Sequence, residues 1–307
     1  MTREVPKGMA ASVRQRLLNL SRRSGEDFQR LLTRYAMERL LDRLSRSEHA
    51  PRFVLKGALL FALWTGEFHR PTRDLDLLGF GDSSAEGLAE VFQSLCAPRT
   101  EDDGLVLSAE TVTVEPIRED QEYGGQRIKL EARLGGARID LQIDVGFGDV
   151  VTPKAEAVEY PTLLDMERPR LRAYPRETVV AEKLEAMVKL GMANSRMKDF
   201  FDLATLARSF AFTGPGLRDA IAATFQRRGT AVPTELPIAL GDAFAKDASK
   251  LTQWKAFVGR NGLEARAGDL GQVVAELARF LGPPLIAAAK REVFEWRWEP
   301  AGPWRPV

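Results

Sequence analysis

The chain has 307 residues, 44% of them apolar and 28% charged, with Cys96 its only cysteine. These proportions suit a globular protein that buries its core without disulfides, and no apolar run approaches the roughly 18 residues a membrane helix needs. The first eleven residues lack the apolar stretch of a secretory signal, so a cytoplasmic protein is expected.

The formal net charge is +1, yet residues 1–52 hold twelve basic residues against six acidic ones. All the basic residues but Lys7 are arginines, whose planar fork of donors suits phosphate. The simpler reading of this stretch is a solvated helix face. Apolar spacing from Val13 to Leu20 and from Phe28 to Leu44 predicts two amphipathic helices separated by Ser24-Gly25.

From Pro51 the texture changes. Phe53-Val54-Leu55 reads as a strand, Gly57 to Trp64 as a helix, Asp74 to Phe80 as a strand and Glu86 to Leu95 as a helix. Three β-rich stretches follow, Leu105 to Pro116, Arg127 to Leu134 and Ala137 to Phe147, the last two joined by Gly135-Gly136 in a strong hairpin signal. Beyond Pro175 the pattern returns to helices over Glu177–Leu190, Lys198–Ser209, Gly216–Phe225, Leu240–Trp254 and Leu270–Leu281. The tail, with Trp296, Trp298, Trp304 and three prolines, reads as an extended strap whose aromatics pack rather than stack on bases. The expected class is α+β, divided into basic helices (1–50), a core with a mixed sheet (51–172), a helical bundle (173–293) and the tail (294–307).

The chemistry concentrates in three blocks. In Arg70-Pro71-Thr72-Arg73-Asp74-Leu75-Asp76-Leu77 the acids stand at i and i+2, so on a strand Asp74 and Asp76 share one face while Leu75 and Leu77 enter the core. Adjacent carboxylates repel unless a cation lies between them, and a hard divalent ion, Mg²⁺, is the natural occupant. Upstream, Lys56-Gly57-Ala58 forms a turn into a helix where backbone N–H groups can approach a phosphate, with Arg70 and Arg73 as further cations.

A phosphoryl-transfer site wants a third carboxylate on a neighbouring element. Asp140, Gln142 and Asp144 share one face of a later strand, and Asp144, nearest the strand's end and Gly146, is the preferred candidate. The third block pairs Glu182-Lys183 with Lys198-Asp199-Phe200-Phe201-Asp202, where Asp199 and Asp202 share a helix face. These residues read equally as a surface cation with a helix-start acid or as a phosphate contact with its orienting aspartate. With His49 and His69 the only histidines, a histidine metal site or a Ser–His triad has almost no material, and Cys96 reads as a plain thiol.

These blocks, with Gln142-Ile143-Asp144-Val145-Gly146-Phe147-Gly148-Asp149, the Ser12–Leu41 stretch and Gly302-Pro303-Trp304, resemble the AbiEii/AbiGii-type nucleotidyltransferase toxins, which include the MenT toxins. The resemblance covers nearly the whole chain. It implies a DNA-polymerase-β-like nucleotidyltransferase core with a helical C-terminal portion, acting as the toxin of a toxin–antitoxin or phage-defence (abortive infection) pair with an AbiEi-like antitoxin. Related toxins transfer nucleotides from NTP to the 3′ end of tRNA and so stop translation.

Carried over by position, Asp74 and Asp76 hold Mg²⁺, Lys183 contacts the nucleotide phosphates, and Asp199 or Asp202 completes the site. The family turn often has Gly-Ser or Gly-Gly; with Gly57-Ala58 this one offers backbone groups only. Asp144 is expected to join the metal site and help activate the acceptor hydroxyl, and Arg14, Arg22 and Arg23 to hold the RNA. The rival expectations are a small-molecule nucleotidyltransferase of the antibiotic-modifying kind and a non-catalytic protein that binds nucleotide or a partner.

Overall fold

The computed structural model describes residues 8–66, 70–72, 74–98, 101–117 and 124–307. Two helices, α1 (Met9–Ser24) and α2 (Phe28–Arg46), open it. They part where expected: Gly25 adopts φ +74 and its N–H donates to Ser21 O, closing α1, and the Asp27 carboxylate accepts from Arg30 N–H, starting α2. Then come β1 (Phe53–Lys56), α3 (Leu59–Thr65), β2 (Asp74–Gly79), α4 (Ala85–Ser94), β3 (Leu105–Ile117), β4 (Gly125–Leu134), β5 (Ala137–Phe147), β6 (Glu156–Glu159) and β7 (Arg170–Ala173).

The strands form one seven-stranded sheet in the order β3-β4-β5-β2-β1-β7-β6. It is mixed: β2 runs parallel to β5 and β1 parallel to β7, while the other neighbours are antiparallel. The strands β6 and β7 are four residues each and carry arginines and glutamates at their exposed positions, which hides them from hydrophobic pattern reading.

Alternation assigns the sheet two faces. Ile139, Leu141, Ile143 and Val145 of β5 are buried, as are Ile128, Leu130, Ala132 and Leu134 of β4, and helices α1, α2 and α4 pack against the sheet. The opposite face carries Asp140, Gln142 and Asp144, all at least partly accessible. α2 is unusual in burying charge. Glu38, Arg39, Asp42 and Arg43 are nearly inaccessible; the Glu38 carboxylate pairs with Arg34 at 3.2 Å and accepts Leu163 N–H at 2.9 Å.

The remaining elements are α5 (Arg176–Leu190), α6 (Met197–Ser209), β8 (Phe212–Thr213), α7 (Gly214–Arg227), α8 (Asp242–Ala245), α9 (Ala248–Asn261), α10 (Glu264–Ala267), α11 (Leu270–Lys290), β9 (Trp296–Trp298) and β10 (Trp304–Pro306). α5 packs on α7, and α11 packs on α6 and α7. The expected single helix over Leu240–Trp254 is broken into α8 and α9 because the Asp247 carboxylate caps a new N-terminus, accepting from Lys250 N–H at 3.0 Å. α11, by contrast, runs on past Leu281 through Pro283 and Pro284. The tail forms a small sheet with β8 in the order β10-β9-β8. Two of its tryptophans are structural: Trp298 Nε1 donates to Ala207 O at 2.7 Å, Trp304 Nε1 donates to Phe280 O at 2.9 Å, and both rings pack on Phe280.

The chain divides into two compact units, one comprising Met1–Gly148 with Glu156–Ala173 and the other Asp149–Ala155 with Tyr174–Val307. Among the described residues no helix is long and apolar enough to cross a membrane.

Candidate active site

In the first unit the candidate residues gather on the open face of the sheet. β2 pairs with β5 so that Asp76 lies beside Asp144 and Asp74 beside Gln142. On the other side of β2, Lys56 of β1 lies beside Asp76; beyond β5, Arg127 of β4 lies beside Asp144. One row across four strands therefore reads Lys56, Asp76, Asp144, Arg127, with the two carboxylates flanked by a cation at each end. Directly opposed residues share a face, so all four point to the same side.

Gly57 sits at the end of β1 with φ +75, a region that favours glycine. Packing adds a second demand: a Cβ at Gly57 would lie 1.9 Å from Asp76 Oδ2. The carboxylate of the D-x-D motif thus rests directly over the turn. Lys56 extends across β2, its Nζ lying 3.4 Å from where a Cβ of Gly146 would be, so its ammonium stands over β5. Ala58 is buried and α3 is only seven residues long, which leaves the turn's backbone, rather than a helix field, as the group available to an anion.

Asp144 is held firmly. Arg127 Nε donates to Oδ1 at 2.9 Å and Nη2 to Oδ2 at 2.8 Å, a two-pronged pair, and Gln142 Nε2 adds a longer contact to Oδ1 at 3.3 Å. That hydrogen bonding, with the charges of Asp144 and Asp74, holds the Arg127 guanidinium further above its ordinary pKa. Thr72 Oγ1 donates to Asp74 O, and Arg70 Nη1 reaches Pro71 O at 3.4 Å. Arg73 lies outside the described residues. Among the described residues no group of three or more His, Cys, Asp or Glu side chains is gathered as a metal set.

The donor chemistry nevertheless suits Mg²⁺, which is commonly bound through one or two carboxylates with water and substrate phosphate completing its shell. Asp74 and Asp76 provide two such carboxylates on one strand face, both partly accessible.

The third sequence block lies in the second unit, where α5 and α6 bring it together. Lys183 Nζ donates to Asp199 Oδ1 at 2.6 Å and lies 2.9 Å from Asp202 Oδ2; Arg196 Nε donates to Asp199 Oδ2 at 2.6 Å. Both aspartates are fully buried, whereas the lysine side chain keeps some exposure. Burial by itself would raise the Asp199 pKa, but Lys183 and Arg196 outweigh it and hold the carboxyl below its ordinary value.

Arg14, Arg22 and Arg23 are all exposed on α1. They do not form one stripe: steps of eight and nine residues rotate a helical side chain by about 80° and 180°. Arg14 lies over the Phe28 ring at 5.6 Å. Cys96 is half-buried, donates to Phe92 O, and burial pushes its thiol up to about 11, the state of an inert thiol.

Arg127 is the site residue that sequence motifs do not flag. The signal was nonetheless present: with Leu134 and Ala137 closing a two-residue turn, counting back along both strands sets Arg127 opposite Asp144.

Two crystal structures from Helicobacter pylori have similar chains. JHP933 is 16% identical with a TM-score of 0.48, the alignment covering 86% of this chain and 91% of that one. A candidate nucleotidyltransferase is 15% identical with a TM-score of 0.49, covering 87% and 95%. Among curated proteins none matches this sequence. The family described as the nucleotidyl transferase AbiEii toxin of type IV toxin–antitoxin systems matches residues 39–281, a span that includes the Gly57 turn, Asp74, Asp76, Arg127, Asp144, Lys183, Asp199 and Asp202. The chain belongs to the AbiEii family of nucleotidyltransferase toxins.

Proposed function

We propose that this nucleotidyltransferase uses Mg²⁺ and transfers a nucleoside monophosphate from NTP to an RNA acceptor, the 3′ end of tRNA, blocking translation in the cytoplasm as part of phage defence. The observation that carries the reading is the seating of the Asp76 carboxylate over the positive-φ Gly57 turn, beside Asp74 on one strand and Asp144 on the next. A positive-φ backbone turn against paired carboxylates supports the reading, since such a turn suits phosphate and such a pair suits a divalent ion.

Asp74 and Asp76 are the residues that would hold Mg²⁺, with Asp144 as a further ligand. When bound, the ion supplies Lewis-acid polarisation of the α-phosphate and screens the developing charge. The chain's own work is to bind and orient. The Gly57-Ala58 backbone and Lys56 take the phosphates, with Arg70 and Arg73 as added cations; Asp144 accepts a proton from the acceptor hydroxyl as that oxygen attacks phosphorus and pyrophosphate leaves. The reading gives Lys183 to the nucleotide's phosphates and makes Asp199 and Asp202 the groups that fix that lysine. Arg14, Arg22 and Arg23 supply diffuse phosphate contact with the RNA, and their replacement by glutamine should flatten the salt dependence of RNA binding. An AbiEi-like antitoxin is the expected counterpart.

The test incubates the protein with Mg²⁺, total tRNA and each NTP labelled at the α-phosphate. Label should enter tRNA with one or more NTPs, and Asp76→Asn should lower that rate by about a hundredfold or more. Pyrophosphate release without labelled tRNA would redirect the reading to a small-molecule acceptor. No release with any NTP would leave only nucleotide or partner binding.

A further inference from the structure

We propose that Arg127 is a positioning residue that occupies Asp144 in the absence of nucleotide and exchanges it for a nucleotide phosphate, so that Asp144 becomes available to a divalent ion only when NTP arrives. This inference rests on the nucleotidyltransferase reading above and adds an order of events to it.

Three features carry it. First, Arg127 uses both oxygens of Asp144, at 2.9 and 2.8 Å, so any cation approaching that carboxylate competes with the fork already there. Second, the pair is not locked in the core: the arginine side chain is 32% exposed and the aspartate 18%, so both groups stay within reach of a competing ligand. Third, the alternative anion is close at hand by register. Asp144 lies beside Asp76, and Asp76 lies over the Gly57 turn, so an anion at that turn enters the row in which Arg127 already stands. A phosphate offers the same two-oxygen geometry as a carboxylate and carries more charge, which makes it a better partner for a guanidinium.

The next cation along β4 is less suited to this exchange. Lys129 is on the same face two residues along β4, but it is paired with Glu115 at 2.6 Å, and a lysine presents a point charge rather than a fork. Arg127 therefore stands where a bidentate cation can pass from a protein carboxylate to a ligand.

The experiment measures Mn²⁺ binding by electron paramagnetic resonance on the full chain, first without nucleotide, for wild type, Arg127→Gln and the double variant Arg127→Gln with Asp144→Asn. Arg127→Gln should bind Mn²⁺ about two- to fivefold more tightly than wild type, the release expected of a partly exposed ion pair, and the double variant should lose the gain. In the same variant the affinity for an NTP analogue blocked at the α–β bridge should fall by about tenfold or more, the effect of losing a charged hydrogen bond to phosphate. These opposite shifts are what a merely structural arginine would not produce. Mn²⁺ affinity that is unchanged or weaker in Arg127→Gln, or analogue affinity that does not fall, overturns the proposal. Should the glutamine variant fail to fold, Arg127→Lys, which keeps a charge but loses the fork, should shift both affinities in the same directions by smaller factors. Because these readouts need no turnover, failure of wild type to transfer any nucleotide would overturn the reaction separately from the metal comparison.

Discussion

Gly57 carries two constraints at once, one conformational and one steric. A side chain at φ +75 costs about 1–2 kcal/mol for any ordinary L-residue, and the space a Cβ would take is filled by the Asp76 carboxylate. Gly57→Ala should therefore lower stability by at least about that amount in chemical denaturation and should also reduce nucleotide transfer, because Asp76 must move off the turn. Unchanged transfer would detach the turn from the chemistry. Lys183 makes the complementary case. Removing it leaves the buried Asp199 and Asp202 without the ammonium they share, a change that typically costs about 3–5 kcal/mol. Because the Asp199 carboxyl is held below its ordinary value when folded, its stabilising contribution is present above the unfolded value of 3.8 and is lost as pH falls through the lower folded value. Lys183→Met should accordingly show weakened denaturant resistance at pH 7 and unfold at a higher pH on acidification. Equal acid midpoints for variant and wild type would refute this.

Among the elements, α2 carries a pH dependence of the opposite sign. Burial raises the Glu38 carboxyl to about 7, against the pull of Arg34 and the Leu163 N–H. A carboxyl raised on folding stays protonated in the native state while the unfolded chain ionises. Its contribution is therefore full below the unfolded value of 4.5 and declines as pH rises toward about 7. Glu38→Gln keeps an acceptor for Leu163 N–H and removes the titration, so its stability between pH 5 and 8 should fall less than that of wild type, by on the order of 1–3 kcal/mol. Thermal melts across that range check it. The helices also show how local signals compete. Spacing of apolar residues merges α8 and α9 into one, yet the Asp247 cap separates them, since a satisfied N-terminus stabilises a new start more than continuity of an apolar stripe does.

At the scale of the molecule the two units differ in how the chain builds them. The first is interrupted: the chain leaves after Gly148 and returns at Glu156 to add β6 and β7. Strand β1 would otherwise have an open edge on that side. The second unit takes in residues 149–155 through Arg228, whose guanidinium meets Asp149 at 3.0 Å, Glu182 at 3.2 Å and Glu185 at 3.0 Å. Thr178 reinforces the attachment, accepting Thr152 N–H and donating to Thr152 O. Arg228→Met leaves three carboxylates gathered without that cation and should cost about 3–5 kcal/mol. It should also make the 149–155 segment a preferred site of limited proteolysis. Resistance equal to wild type would show that the threonine contacts suffice.

The sequence by itself determined what is local and periodic. Alternation put Asp74 and Asp76 on one face of β2 and Asp140, Gln142 and Asp144 on one face of β5, and the Gly135-Gly136 turn fixes the register that sets Arg127 opposite Asp144. A two-residue turn is a covalent constraint, so counting along its strands suffices. Only the tertiary structure decided that β2 lies parallel to β5, with Asp76 against Asp144, and that β7 lies parallel to β1. Those strands are far apart in the chain, and period-two patterning names a strand's face without naming its neighbour. The partner is chosen by how helices and apolar faces pack around the whole sheet. The same holds for Lys183: its helix was legible, but its seating between Asp199 and Asp202 follows from the packing of α5 with α6, which buries both acids and brings the lysine to them, with Arg196 as a second cation at Asp199.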